Sequence, residues 1–427
     1  MIPLNAAAAR RIFLLLTVTR WFPVGLVVPV TTLLYLERGL DVAHALTLAS
    51  VVGLVVFALE LPTAGIADTL GRRPVLLAGA VLQVLAAVLY CTADSFWAFT
   101  AAAVAMGVFR ALDSGPLESW FVDTVHRERP GADVDRTLAQ QGAVLGVSIA
   151  LGSLACGGLV WWHPVQFWSA LTLPYVAYAV LAAVHLTMLA MLLREPARHA
   201  DGRVRAALAT VRQVPGTVAT GLRLARDNGV LRALLLVEVF WSTAMVVFES
   251  FTPIRLGELL ADNTRAGALM GPVASVGWAV FALGSGLAGL ASARIGVART
   301  ALLARVLNGL GAVWMGLAGG PAALVVAYLA TYGLHGSGGP VYNTLLHREA
   351  VASNRTTVLS MASMLGFLAY AIASPLLGWT AATVSTPVAM VAGGGFSVLG
   401  ALCFVPALRR ERQRASAPVG ADGRTPA

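Results

Sequence analysis

Twelve mostly apolar runs follow one another through the 427-residue chain, at 12–36, 45–67, 74–93, 96–122, 137–161, 167–193, 232–257, 266–290, 299–318, 322–346, 356–378 and 386–408. A helix needs about 20 such residues to cross the hydrocarbon core of a bilayer. Inside that core every backbone polar group must be bonded internally, which helices achieve and irregular chain does not. Only 12% of the residues are charged and 58% are apolar. Soluble domains carry about 25% charged residues, so lipid is the solvent for most of this chain. The expected fold is an all-α membrane protein with twelve transmembrane helices, called spans 1 to 12 below.

The chain has no Lys, so all 30 basic side chains are Arg. The formal net charge of +9 could suggest nucleic acid. The distribution argues otherwise. Twelve spans put both termini on one side, and on that side lie 24 of the 30 Arg. Three lie on the other side, at Arg38, Arg255 and Arg265, and three lie within spans, at Arg20, Arg110 and Arg305. Such a bias is topogenic: the Arg-rich side is the cytoplasm, which makes this a multi-pass protein of the cytoplasmic (inner) membrane with both termini inside. Cys91, Cys156 and Cys403 all lie within apolar runs, with no His or Cys at metal-ligand spacing. Neither a disulfide framework nor a zinc site is expected.

The two halves repeat. One offset of 221 lays Arg11 on Arg232, Glu37 on Glu258, Asp41 on Asp262 and Arg73 on Arg294. It also lays His126-Arg127-Glu128 on His347-Arg348-Glu349. Coincidences among rare charged residues indicate two pseudo-symmetric six-helix halves, the layout that places substrate sites at mid-membrane between repeats. The expected organisation is a first half over 1–193, a cytoplasmic linker over 194–231, a second half over 232–408 and a disordered tail over 409–427. Within the linker, the periodic stretch 203–226 suits an amphipathic helix on the membrane surface.

After span 2 the chain reads Gly65-Ile-Ala-Asp68-Thr-Leu-Gly71-Arg72-Arg73-Pro74. Glycines there allow a tight turn and close helix approach, and Asp68 and Arg72 are four apart, the spacing of a helical ion pair. This loop resembles the signature of the major facilitator superfamily, and the topology and repeat extend the resemblance over the whole chain. Thr69 departs from the basic residue usual there. The resemblance implies that Gly65, Asp68, Gly71, Arg72 and Arg73 form a gating latch between the halves, joined by Asp123 at the end of span 4. It also implies that spans 1, 4, 7 and 10 line a central cavity. Span 4 carries Arg110-Ala-Leu-Asp113-Ser-Gly-Pro116, similar to the family motif whose Arg is implicated in proton transfer, and span 10 carries His335-Gly-Ser-Gly-Gly-Pro340. Gly and Pro at mid-depth in both suggest locally broken helices.

An ionisable side chain at mid-membrane costs about 2.5–3.5 kcal/mol on insertion scales, so each one within a span is a candidate for function. Depth selects among them. At a rise of about 1.5 Å per residue, Arg20, Asp113 and His335 all fall near the midplane of a core about 30 Å thick. Asp113 is then the acid matched to Arg20, with Arg110 one turn away as a second partner. The expected proton-coupling group is Arg20, Arg110 and Asp113. The expected substrate-binding group is Arg20, Trp21, Glu238, Trp241, Tyr332 and His335. No Gly-x4-Gly-Lys-Ser/Thr sequence exists to bind a nucleotide, and no catalytic constellation stands out. The expectation is a secondary transporter and not an enzyme, without cofactor or metal. It would act as a monomer in the lipid bilayer, exchange protons for a small amphipathic or drug-like molecule, and bind no nucleic acid. Proton-coupled uptake of a small nutrient is the alternative, and a non-transporting membrane sensor a more distant one.

Overall fold

A computed structural model describes residues 5–195, 203–351 and 354–416. Span 1 is α1 (Ala6–Val27) and α2 (Thr31–Glu37), bent by 41°. Spans 2 and 3 are α3 (Val42–Leu70) and α4 (Arg72–Thr92). Span 4 is α5 (Phe96–Asp113) and α6 (Pro116–Glu128), and spans 5 and 6 are α7 (Asp135–Trp162) and α8 (Leu173–Leu192). The linker forms α9 (Arg203–Asp227). Span 7 is α10 (Gly229–Met245), a π-helical segment Val246–Phe251, and α11 (Thr252–Leu260). Spans 8 to 11 are α12 (Asn263–Ile295), α13 (Val297–Leu317), α14 (Pro321–Glu349) and α15 (Arg355–Thr383). Span 12 is α16 (Thr386–Leu399), a 3-10 turn Gly400–Phe404, and α17 (Val405–Ser416).

Among the described residues ten helices are long and apolar enough to cross a membrane, or eleven with the bent pair of span 1. The remaining one of the expected twelve, α14, is 29 residues long. It is less apolar because it carries Tyr328, Tyr332, His335 and a run of glycines, of which Tyr328, Tyr332 and Gly336 are buried against its neighbours. Large apolar side chains stay exposed on the outer faces, Leu151, Leu283 and Leu376 among them, as a lipid-facing surface requires. Trp97, Trp161, Trp162 and Phe167 stand 71–85% exposed where their spans end, the placement of an interfacial aromatic belt.

Caps define the helix starts. The side chains of Asn5, Asp41, Ser95, Asp262 and Ser385 each accept a hydrogen bond from a backbone N–H in the first turn. Gly71 and Gly296, with φ of 101° and 90°, make the sharp turns between spans 2 and 3 and between spans 8 and 9. Gly115, at φ 89°, breaks span 4 ahead of Pro116. The matching break expected in span 10 is absent: α14 runs unbroken through Gly336 and Pro340. Its glycines serve packing, since a Cβ on Gly336 would lie 2.1 Å from the Phe281 carbonyl oxygen of span 8. The expected disorder from residue 409 is also corrected, because α17 continues to Ser416. The rest of that segment, 417–427, lies outside the described residues.

The buried apolar cluster shared by the two halves lies away from the Arg-rich end. It takes Leu26, Val30 and Leu33 from the first half and Val246, Ile254 and Met270 from the second. At the Arg-rich end each half keeps its own cluster, around Phe13, Leu76 and Trp120 in one and around Leu231, Ala301 and Leu345 in the other. A cleft between the halves therefore opens toward the Arg-rich end. Spans 2 and 11 and spans 5 and 8 pack across the halves. Helix α9 lies against spans 2, 7 and 11, so it touches both halves.

Candidate functional site

Equal depth on neighbouring spans brings Arg20 and Asp113 together: Nε of Arg20 donates to Oδ2 of Asp113 at 2.6 Å. Their side chains are 7% and 17% exposed. The guanidinium also sits 4.3 Å from the Phe109 ring centroid and 4.7 Å from that of Trp21. Its Nη1 is buried with no hydrogen-bond partner among the described residues. An arginine held by one carboxylate oxygen and two aromatic faces keeps donor capacity to spare.

Arg110 does not reach Asp113. No ion pair joins them among the described residues, and the Arg110 guanidinium lies 5.7 Å over the ring of Phe367, on span 11 of the other half. It is exposed although deep in its span, so it faces the cleft. Glu60 of span 2 accepts from the Ser363 hydroxyl of span 11 at 2.8 Å, a second polar contact across the halves.

In the second half, Trp241 and His335 stack, with ring centroids 5.3 Å apart. Nε1 of Trp241 donates to Nδ1 of His335 at 3.3 Å. Tyr332 stands edge-on to His335 at 5.6 Å and donates its hydroxyl to Glu249 at 2.9 Å. Three of the residues singled out from sequence thus form one aromatic group with Glu249. Glu238 lies apart from them, 7% exposed, where Gly366 of span 11 leaves it room: a Cβ there would lie 3.1 Å from Oε2.

The loop after span 2 bonds to the ends of spans 4 and 6 and to Glu195 just beyond span 6. Arg72 pairs with Asp123 at 2.7 Å and with Asp68 at 3.5 Å. Arg73 donates to the Ala190 carbonyl at 2.9 Å. A residue that sequence reasoning missed completes this network: Glu195 accepts from the backbone N–H groups of Arg72 and Arg73 at 3.2 and 3.0 Å. Glu411 does the same in the second half for Val297 and Ala298, at 3.2 and 2.9 Å. Each is a carboxylate on the positive end of a helix. Each is also an acid within an Arg-rich stretch after the sixth span of its half, which was the available signal. The repeated His-Arg-Glu has a matching role: Glu128 accepts from the Ala6 N–H at the start of span 1, and Glu349 from the Asn228 side chain at the start of span 7.

The Major Facilitator Superfamily profile matches residues 13–350. No curated protein matches the sequence. Among solved structures, the nucleoside transporter NupG superposes with a TM-score of 0.74 at 10% identity, covering 94% of this chain and 99% of that one. A POT family transporter in complex with 5-aminolevulinic acid gives 0.70 at 15% identity, covering 94% and 96%. A peptide transporter POT in complex with sulfate gives 0.66 at 15% identity, covering 94% of each. At such identities the likeness is one of fold. The matched profile over most of the chain, together with the two six-helix halves, places this multi-pass membrane protein in the major facilitator superfamily of transporters.

Proposed function

We propose that the chain is a proton-coupled secondary transporter that expels a small amphipathic molecule by alternating access. The observation that carries this reading is the Arg20–Asp113 pair, an acid at mid-depth whose only ion-pair partner among the described residues is a buried arginine. When the pair is closed, Asp113 is charged and satisfied. When it opens, an isolated carboxylate in a low dielectric takes a proton, because an unpaired buried charge is far costlier than a neutral acid. Opening and closing therefore load and unload a proton. Arg20, Trp21, Glu238, Trp241, Tyr332 and His335 are the proposed substrate group, with Arg110 assisting the coupling pair. Gly65, Asp68, Gly71, Arg72, Arg73 and Asp123 are the proposed gating latch, which joins the two halves when the transporter is open to the outside.

The Arg bias supports a cytoplasmic Arg-rich end in the inner membrane, so the cleft of this conformation opens inward. The halves span 1–193 and 232–408, joined by 194–231, and the protein works as a monomer. Uptake by symport is the second reading, since a coupled pair is reversible and the same geometry serves both directions.

The test is a susceptibility and accumulation screen in cells with and without the gene, repeated with Asp113→Asn. Export predicts raised tolerance and lowered accumulation of at least one compound, both lost in the variant. Raised accumulation reverses the direction, and full pH-driven transport by Asp113→Asn in proteoliposomes removes Asp113 from the coupling role.

A further inference from the structure

We propose that Glu249 and the aromatic group joined to it through Tyr332 recognise an organic cation, so that the transported molecule carries a protonated or quaternary nitrogen. This rests on the transporter reading above and names its substrate class. The first observation is the balance of charge inside the bundle. Arg20 is paired with Asp113. Arg110 lies over the Phe367 ring and Arg305 donates to Asn308, while Glu60 accepts from Ser363. Glu249, like Glu238, has no ion-pair partner among the described residues. Its carboxylate accepts one hydrogen bond, from the Tyr332 hydroxyl, and no basic side chain pairs with it among the described residues. His335 supplies no positive charge there, because its Nδ1 is accepting from Trp241.

The second observation is backbone geometry. Glu249 sits in the π-helical segment Val246–Phe251, the one departure from α-helix within span 7. A π segment displaces side chains from the regular helical rows and recurs at functional positions. Sequence periodicity gave no sign of it. The segment falls about 30 Å along the span from its start at Gly229, at 1.5 Å per residue, which is the closed end of the cleft.

The third observation is the surroundings. Phe248 stands edge-on to Tyr332 at 5.9 Å, Trp278 lies 6.2 Å from Tyr332, and Trp241 stacks on His335. Trp241 and Trp278 are both partly exposed. A carboxylate tied through Tyr332 to this aromatic group matches a cation with an apolar shell, since ring faces attract positive charge by up to about 2 kcal/mol when desolvated. An anion would meet an unbalanced carboxylate, and a neutral molecule would leave it without a counter-charge.

The test uses purified full-length protein and two probes of one shape and opposite charge, tetraphenylphosphonium and tetraphenylborate. Wild-type protein is expected to bind the cation saturably and the anion at least about tenfold more weakly. Glu249→Gln is expected to lower cation affinity about tenfold, Glu249→Asp to retain most of it, and Asp94→Asn, on an exposed loop, to leave it unchanged. Equal binding of the two probes by wild-type protein, a comparison that needs no variant, overturns the inference, as does undiminished cation binding by folded Glu249→Gln. Absence of cation binding alongside Asp113-dependent transport also overturns it and leaves the coupling reading standing. Cation binding alongside transport indifferent to Asp113 does the reverse.

Discussion

Spans 5 and 8 belong to different halves and touch at Gly157 and Gly271, near the closed end. A Cβ on Gly271 would lie 2.4 Å from the Gly157 nitrogen, 2.5 Å from its Cα and 2.6 Å from the Ser153 carbonyl oxygen. All three are backbone atoms, so no rotamer change relieves the clash and the two helices must separate. Overpacking of this kind costs about 1–3 kcal/mol. If the halves part at this end during transport, only the closed conformation bears that cost. Gly271→Ala then shifts the equilibrium toward the other conformation by about 5- to 150-fold. Spin labels at Asp94→Cys and Gly319→Cys, on exposed loops of the two halves at that end, report the change as a longer distance population. Gly25→Ala is the control. Its Cβ would lie 2.3 Å from the Ile149 carbonyl oxygen, an equally tight backbone contact, but spans 1 and 5 belong to one half. It should lower thermal stability without moving the distance distribution. A wild-type distribution for Gly271→Ala, or the same shift for both variants, refutes rigid halves that part at spans 5 and 8.

Asp68→Asn removes one exposed partner of Arg72 while Asp123 remains, so it should change stability by less than about 1 kcal/mol. Turnover measured by flux in proteoliposomes should nevertheless fall several-fold if the network is a latch. Glu195→Ala and Glu411→Ala each remove a carboxylate that accepts two helix-start N–H groups, and each should cost about 1–2 kcal/mol in thermal unfolding. Asp41, in the loop before span 2, has its carboxyl held below the ordinary aspartate range, chiefly by the hydrogen bond from the His44 backbone N–H. Its contribution is therefore complete above the unfolded value of about 3.9 and is lost as pH falls through the lowered one. Asp41→Ala should cost about 1 kcal/mol at neutral pH and progressively less below about pH 4.

What the sequence made legible follows from how strictly lipid constrains a chain. Apolar runs had to be spans, and the internal repeat had to be a structural one. Arg20 and Asp113 had to meet because each is intolerable alone at the same depth. Where several arrangements satisfy the same physics, the sequence did not choose. Arg110 stands one turn from Asp113, yet it turns toward Phe367, since a ring face across the cleft serves a cation as well as a shared carboxylate. Gly336 could have broken span 10, but it admits the backbone of span 8 instead. The π segment at Glu249 left no trace in periodicity, because one extra residue in a span apolar on most sides shifts no visible pattern. Glu195 and Glu411 were hidden by the arginines around them, whose topogenic meaning drew attention from the acids.

Whether the Arg20–Asp113 pair couples protons or merely joins spans 1 and 4 is decided by removing both charges at once. Asp113→Asn alone leaves Arg20 buried without its acid, and breaking a buried pair from one side costs about 3–5 kcal/mol. Lost transport in that variant could therefore reflect damage instead of lost chemistry. Arg20→Met together with Asp113→Leu avoids this, because replacing both partners by apolar groups is often neutral or stabilising. Phe109 and Trp21, which now flank the guanidinium within 4.7 Å, offer apolar surface to the methionine. The double variant should therefore unfold at a temperature close to wild type and well above either single variant. If the pair is a static strut, transport returns with stability. If Asp113 carries the proton, stability returns while pH-driven accumulation does not, and only movement down the substrate's own gradient remains. Full pH-driven transport by the stable double variant would remove the pair from the coupling mechanism and leave Glu238, the buried acid of span 7, as the group to test next.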